Sequence, residues 1–195
     1  MKFFSLILIL SLCLYSFSKG DNDKIVAKIV KIISATTQTE KIQSVYDLID
    51  CNKYKKVING IPDINPLHPQ KMKRISSYYG VRKHPISKKL KQHHGLDLVA
   101  NQGAKIYAPA RGKVILVSRK NTGYGNEIKI QHPFGFVTRF AHLHHIKVRN
   151  GQKVTKGQVI GTVGTTGYST GPHLHYEIFK NGHRIDPLKM IQLEY

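Results

Sequence analysis

The run Gly171-Pro172-His173-Leu174-His175-Tyr176-Glu177-Ile178 constrains this chain more than any other stretch. It is rich in β-formers and opens on Gly-Pro, which predicts a strand with a side-chain period of two. Positions i and i+2 of a strand face one side. His173 and His175 therefore point into one space, with Leu174 and Tyr176 on the opposite face. Two imidazoles held that close can bind one metal ion, or divide the work between holding a metal and moving a proton.

The surrounding sequence supplies a β framework for such a strand. Short runs recur between Gly-containing turns: Lys105–Ala108, Lys113–Val117, Glu127–Ile130, Phe136–Phe140 and Gln158–Val163. Their close spacing, without a helical pattern between them, predicts an antiparallel all-β sandwich or barrel over residues 72–195. Upstream the texture differs. Asp21-Asn22-Asp23 offers N-cap residues ahead of a stripe of Ile25, Ile29, Ile32 and Ile33, interleaved with Lys24, Lys28 and Lys31. Thr37-Gln38-Thr39-Glu40 is a capping-box pattern followed by Ile42, Val45, Tyr46 and Ile49. Residues 19–58 thus form an α-helical segment, its apolar stripe docked on a neighbouring domain. Gly60, Pro62, Pro66 and Pro69 mark a linker over 59–71, read as a solvated tether.

Met1–Ser18 has the layout of a signal peptide: Lys2, the apolar run Phe3–Leu14, then the small-x-small pattern Ser16-Phe17-Ser18. The apolar run is shorter than the roughly 20 residues of a spanning helix, so the processed form has no transmembrane span. Leu12 is too bulky for lipid attachment at Cys13. Once the leader is removed Cys51 stands alone, which excludes an intramolecular disulfide and a cysteine-based zinc site. The formal net charge of +20 points to a polyanionic partner. Export and the absence of a recognisable nucleic-acid motif turn that partner from nucleic acid toward anionic cell-envelope polymers.

Two further stretches carry donors. In His93-His94-Gly95-Leu96-Asp97, His93 and Asp97 share one face of a strand or of a helix, and Gly95 leaves the backbone open to a metal. Phe140-Ala141-His142-Leu143 ends a strand on a histidine. Of the 11 histidines, His68, His84, His94, His132, His144, His145 and His183 are read as bystanders. A catalytic zinc takes three protein ligands and keeps one position for water. His93, Asp97 and one of His173 and His175 make three, and imidazole donors favour zinc over magnesium or calcium.

The segment Gly161–Glu177, with its Gly-Pro-His-Leu-His core, resembles the signature of the lysostaphin/LytM-type zinc metallopeptidases, which cut peptidoglycan peptides. Other motifs follow that family's order: Tyr79-Gly80-Val81-Arg82 with His84-Pro85-Ile86, then His93-x-Gly95-x-Asp97. Tyr107–Val114, Gly123-Tyr124-Gly125-Asn126 and Phe140-Ala141-His142-Leu143 complete the series. The resemblance covers about residues 72–188. It implies one Zn²⁺ per chain held by His93, Asp97 and His175, with His142 and His173 as catalytic histidines. It implies a secreted zinc metalloendopeptidase, periplasmic or attached to a bacterial cell envelope, that hydrolyses cross-link or stem peptides through a zinc-activated water. Phe140 replaces the family's usual tyrosine, a packing change. Asn65, His68 and Gln70 upstream are polar enough to serve as a temporary extra ligand. The alternative class is a non-catalytic wall-binding or hydrolase-activating module, which would lack several of the five site residues. A lipoyl-type carrier would need an acceptor lysine on a hairpin tip, and Leu188-Lys189-Met190 is the nearest match.

Overall fold

The computed structural model describes residues 19–38, 40, 42, 54–83 and 89–191. The expected signal peptide, Cys13, Cys51, the second helical stripe beyond Ile42 and the His84-Pro85-Ile86 motif lie outside them. The chain divides between Ile58 and Asn59 into two compact units. In the first, helix α1 spans Lys19–Ala35 and starts ahead of the expected Asp21-Asn22-Asp23 cap. Ile29 and Ile33 are buried and Lys24, Lys28 and Lys31 exposed, the one-sided pattern that the 3.6-residue period produces. A four-residue helix, α2, covers Lys55–Ile58. Among the described residues no helix is long and apolar enough to cross a membrane.

The second unit is built from antiparallel strands. Its large sheet contains β1 (Met72–Ser77), β4 (Leu96–Ala100), β6 (Gly112–Ser118), β7 (Glu127–Gln131), β8 (Phe136–Ala141), β10 (Lys153–Val154), β12 (His173–Lys180) and β13 (His183–Ile185). The order is β1-β4-β12-β8-β7-β6-β10, and β13 pairs with the far end of β12. A small sheet orders β5 (Lys105–Tyr107), β11 (Val159–Val163) and β9 (Leu143–Ile146) as β5-β11-β9. A separate hairpin joins β2 (Gly80–Lys83) to β3 (Leu90–His93).

Strand period and burial agree. Ile128 and Ile130 of β7 are fully buried, while Glu127 and Lys129 between them are half-buried. Phe136, Thr138 and Phe140 of β8 point into the core, as do Leu174, Tyr176 and Ile178 of β12. The Phe140 and Tyr176 rings pack with centroids 5.3 Å apart. Burying each such side chain contributes about 1.5–3 kcal/mol. The small sheet adds Ile106, Leu143, Ile160 and Val163 to the buried set. With one face spent on the core, the other face of β12 carries His173, His175 and Glu177.

Residues 59–71 are strapped to the β unit rather than solvated. Ile61, Pro62, Pro66 and Leu67 are buried, and Leu67 bridges to Ile106. Tyr107 and Arg111 donate their backbone N–H groups to Pro66 and Asn59 carbonyls, and Lys156 pairs with Asp63. The prolines that break helical periodicity still offer carbonyl oxygens and apolar rings, which is enough to dock an extended strap. Lys189 lies in a 3₁₀ turn, Pro187–Lys189, not on a hairpin tip.

Candidate metal centre and its cleft

Sheet register brings the donors together. On β12, His175 sits opposite Asp97 of β4 and opposite Ala141 at the end of β8. His93 closes β3 and Asp97 lies on β4, so the two meet around a corner at His94-Gly95 and not along one strand or helix. Gly95 is required for a reason other than metal access. A Cβ there would stand 2.5 Å from the Tyr176 carbonyl oxygen and 2.9 Å from the His175 ring. The glycine gives the His175 imidazole its space.

Three atoms converge. Asp97 Oδ1 lies 2.8 Å from His175 Nδ1 and 3.2 Å from His93 Nε2, and the two nitrogens are 3.2 Å apart. Ligand bonds of about 2.0–2.1 Å to zinc would set tetrahedral donors about 3.3 Å from one another. The outer nitrogens have acceptors of their own. His93 Nδ1 faces the Tyr78 carbonyl at 2.8 Å, and His175 Nε2 faces Glu177 Oε1 at 3.1 Å. Both partners only accept and can take the ring hydrogens of neutral imidazoles, which leaves the inner nitrogens able to offer lone pairs to a cation. Two imidazole nitrogens and a carboxylate oxygen converging on one point suit a cation, and an N,N,O set suits zinc. Among the described residues this is the one such cluster of histidine, cysteine or acidic side chains.

The electrostatics favour positive charge there. Burial opposes ionisation of Asp97, but hydrogen bonds from His175 and His93 outweigh it and hold the carboxyl well below the usual carboxylate range. Burial likewise opposes a charge on His175, yet the Asp97 and Glu177 carboxylates raise its pKa. Glu177 is fully buried. Burial works against its charge too, and the His175 and Tyr124 hydrogen bonds overcome that to bring its pKa to about 2. Tyr124 donates its hydroxyl at 2.7 Å, Arg184 Nε lies 3.2 Å away, and Arg139 lies 3.4 Å away while stacking over the Tyr124 ring. A carboxylate behind a ligating histidine fixes ring orientation and raises basicity.

His142 and His173 face each other across the cleft, with ring centroids 4.8 Å apart. His142 Nδ1 donates to the Thr166 carbonyl at 2.7 Å, and His173 Nδ1 to the Gly171 carbonyl at 2.8 Å. With Nδ1 so engaged, Nε2 is the nitrogen that each ring leaves for the cleft. Burial lowers the His142 pKa to about 4, so this ring is neutral near pH 7. The chain leaves the large sheet for the small one at His142, whose φ of +61° is a left-handed conformation unfavourable to a side chain. Backbone bonds from His142 N to Tyr124 O and from Leu143 N to Asn126 O hold that corner.

All five residues line one open cleft of about 450 Å³. Arg82, Lys91, Tyr124, Tyr168, Ser169 and Thr170 share its wall. Asn65, His68 and Gln70 do not, and the Asn65 side chain is occupied by Leu67 N and Met72 Sδ. His132 is buried away from the cleft, between the Arg111 carbonyl and Thr138 Oγ1. His144 and His145 are exposed, their rings in contact and tilted 58° to one another. The sequence motifs contained Glu177, Tyr124 and Arg82, but sequence reasoning gave none of them a role. Glu177 had a visible signal, because it continues the period of His173 and His175 as an acid in an otherwise apolar strand.

Residues 91–187 match the profile of peptidase family M23. The DD-carboxypeptidase/endopeptidase Mpg of Neisseria meningitidis serogroup B is 44% identical over 124 residues, 64% of this chain and 28% of the relative. The peptidoglycan DD-endopeptidase ShyA of Vibrio cholerae is 41% identical over 117 residues, 60% of this chain and 27% of the relative. The chain thus spans little more than a quarter of these relatives. The catalytic domain of lysostaphin from Staphylococcus simulans superposes with a TM-score of 0.53 at 33% identity, covering 59% of this chain and 89% of that one. A zinc-containing peptidase from Vibrio cholerae gives a TM-score of 0.59 at 33% identity, covering 69% of this chain and 39% of the other.

Proposed function

Because the chain belongs to peptidase family M23, we propose that it is an exported metalloendopeptidase that hydrolyses peptide bonds in peptidoglycan. His93 Nε2, Asp97 Oδ1 and His175 Nδ1 would hold a single zinc ion. The observation that carries the reading is the convergence of these three donor atoms beside two further histidines whose Nδ1 atoms are each anchored to a backbone carbonyl. A bound zinc ion lowers the pKa of a water from 15.7 toward about 7 and polarises a carbonyl oxygen.

The protein's own groups supply the rest. One of His142 and His173 takes a proton from the attacking water at Nε2, and their carbonyl-anchored Nδ1–H groups keep both lone pairs aimed into the cleft. The protonated imidazole then donates to the developing oxyanion or to the leaving amine. The buried position of His142 keeps it neutral and ready to accept. Glu177, held by Tyr124, Arg139 and Arg184, keeps the His175 ring turned so that Nδ1 faces Asp97. The names of the Neisseria and Vibrio relatives support a peptidoglycan substrate. The basic balance of the chain fits retention near an anionic envelope.

The test is mass spectrometry of fragments released from purified sacculi of defined chemistry, with and without chelator. Peptide-bond cleavage that chelator abolishes and added zinc restores is expected. Zinc binding without any release would instead favour the non-catalytic wall-binding module.

A further inference from the structure

Two like-charge pairs stand on the outer face of the large sheet, the face that also carries His175 and Glu177. Lys113 of β6 lies directly opposite Lys153 of β10, and Lys129 of β7 directly opposite Arg139 of β8. Cations so placed destabilise a sheet. Arg139 is offset by Glu127, 3.1 Å from its Nε, and by Glu177. Lys113, Lys129 and Lys153 have no ion pair among the described residues. Burial and the Arg139 guanidinium lower the Lys129 pKa, although Glu127 and Glu177 act against them. The other carboxylates of the described β unit are engaged elsewhere. Asp63 pairs with Lys156, Asp97 faces His93 and His175, and Asp186 caps Leu188 N. A lysine on the edge strand β10 serves to block edge pairing. That does not account for Lys113 and Lys129, whose strands have neighbours on both sides.

These lysines lie along a straight row. Sheet register carries it from Arg184 through Phe179, Val137, Gln131 and Lys113 to Lys153, one residue per strand. Each member is exposed or half-buried. At about 4.8 Å per strand the row is about 24 Å long, and Lys129 stands one pleat to its side. His175 is four residues from Phe179 along β12, about 13 Å away on the same face. We propose that Lys113, Lys129 and Lys153 form an anchoring surface for an anionic polymer laid across the strands. The polymer is peptidoglycan itself, held by free carboxylates of stem peptides other than the one being cut. The inference rests on the peptidoglycan reading and adds a place, remote from the cleft, where that polymer is held. A flat, straight row suits a linear chain, and bound carboxylates would relieve the repulsion between the lysines. Anchoring the polymer here raises the effective concentration of its neighbouring peptides at the cleft.

The experiment is co-sedimentation of the zinc-loaded full chain with purified sacculi on ice. The Lys113→Gln/Lys129→Gln/Lys153→Gln variant should bind about 3- to 100-fold more weakly at low salt, with zinc content unchanged and no loss of thermal stability. Wild-type binding should fall to the variant's level as salt rises from about 0.1 to 1 M, where the screening length shrinks from about 10 to 3 Å. It should fall likewise on sacculi whose carboxylates have been converted to amides. A control variant, Lys71→Gln/Lys105→Gln/Lys147→Gln, removes the same charge from other exposed parts of the β unit and should bind as the wild type does. Equal weakening in the two variants would assign binding to net charge and overturn the proposal. Unaltered binding in the first variant, or undiminished wild-type binding to amidated sacculi, overturns it too. A loss seen with vesicles of anionic phospholipid but not with sacculi would make the face a membrane-docking surface, and overturns it as well. Binding is read on ice without turnover, so a failure to release fragments on warming would defeat the peptidase reading separately.

Discussion

Two histidines flank strand β8, and they look alike by most measures. His132 precedes it and His142 follows it; both are buried, and both are held near a pKa of about 4 with burial as the leading cause. Each donates Nδ1–H to a backbone carbonyl, His132 to Arg111 and His142 to Thr166. They part at the other nitrogen. His132 Nε2 accepts from Thr138 Oγ1 at 2.7 Å, which completes its bonding inside the core. His142 Nε2 faces the cleft, and its backbone is held at a φ of +61° by loop hydrogen bonds. A perturbed pKa therefore does not separate a histidine closed inside the core from one open to the cleft. A free lone pair aimed at a cavity, on strained backbone, does.

The largest effects should follow the line between these residues. His142→Ala should reduce sacculus hydrolysis by about 10²–10⁴, the usual worth of general acid–base help, with zinc content unchanged. His175→Ala should lose both zinc and hydrolysis, and His132→Ala should keep both. Metal analysis of the three purified variants beside the hydrolysis assay decides the matter. Full loss of zinc in His142→Ala would move that residue into the ligand set and undo the division of roles.

A smaller effect separates the ligands from what stands behind them. Glu177→Ala should weaken zinc binding about 10- to 100-fold, as removing a carboxylate behind a ligating histidine does. Glu177→Gln keeps an acceptor for His175 Nε2–H and loses only the charge, so its affinity should fall between. Competition against a zinc-binding dye reads both variants. Unchanged affinity in Glu177→Ala would reduce Glu177 to a counter-ion for Arg139 and Arg184.

Much of this site was legible because strand periodicity is simple. The alternation His173-Leu174-His175-Tyr176 placed the two histidines together, and Leu174 and Tyr176 are indeed fully buried on the other face. The antiparallel β framework followed from short runs between glycine turns. What the sequence hid was set by tertiary contacts. His93 and Asp97 meet around a corner made possible by Gly95, whose need is visible only once the His175 ring and the Tyr176 carbonyl are seen against it. The left-handed turn at His142 has no local signature, since it arises where the chain changes sheets. The strap over 59–71 read as a tether because its prolines look the same to a propensity argument whether they are solvated or docked.

A last prediction tests the structural member of the pair. His132 has an ordinary pKa of 6.5 when unfolded and about 4 when folded. Between those values the unfolded chain binds a proton that the folded chain refuses, so stability is full above pH 6.5 and is lost as pH falls toward 4. The shift corresponds to about 3 kcal/mol. His132→Ala removes this proton linkage but leaves the Arg111 carbonyl and the Thr138 hydroxyl without partners in the core, a cost of about 1–3 kcal/mol at neutral pH. Denaturant unfolding of the chelated proteins should therefore show the variant less stable at pH 7. The gap should close as the pH approaches 4, where the wild type has lost its own advantage. A gap of constant size at pH 7 and pH 4 would mean that His132 titrates alike in both states. Its burial between two neutral partners would then not be what distinguishes it from His142.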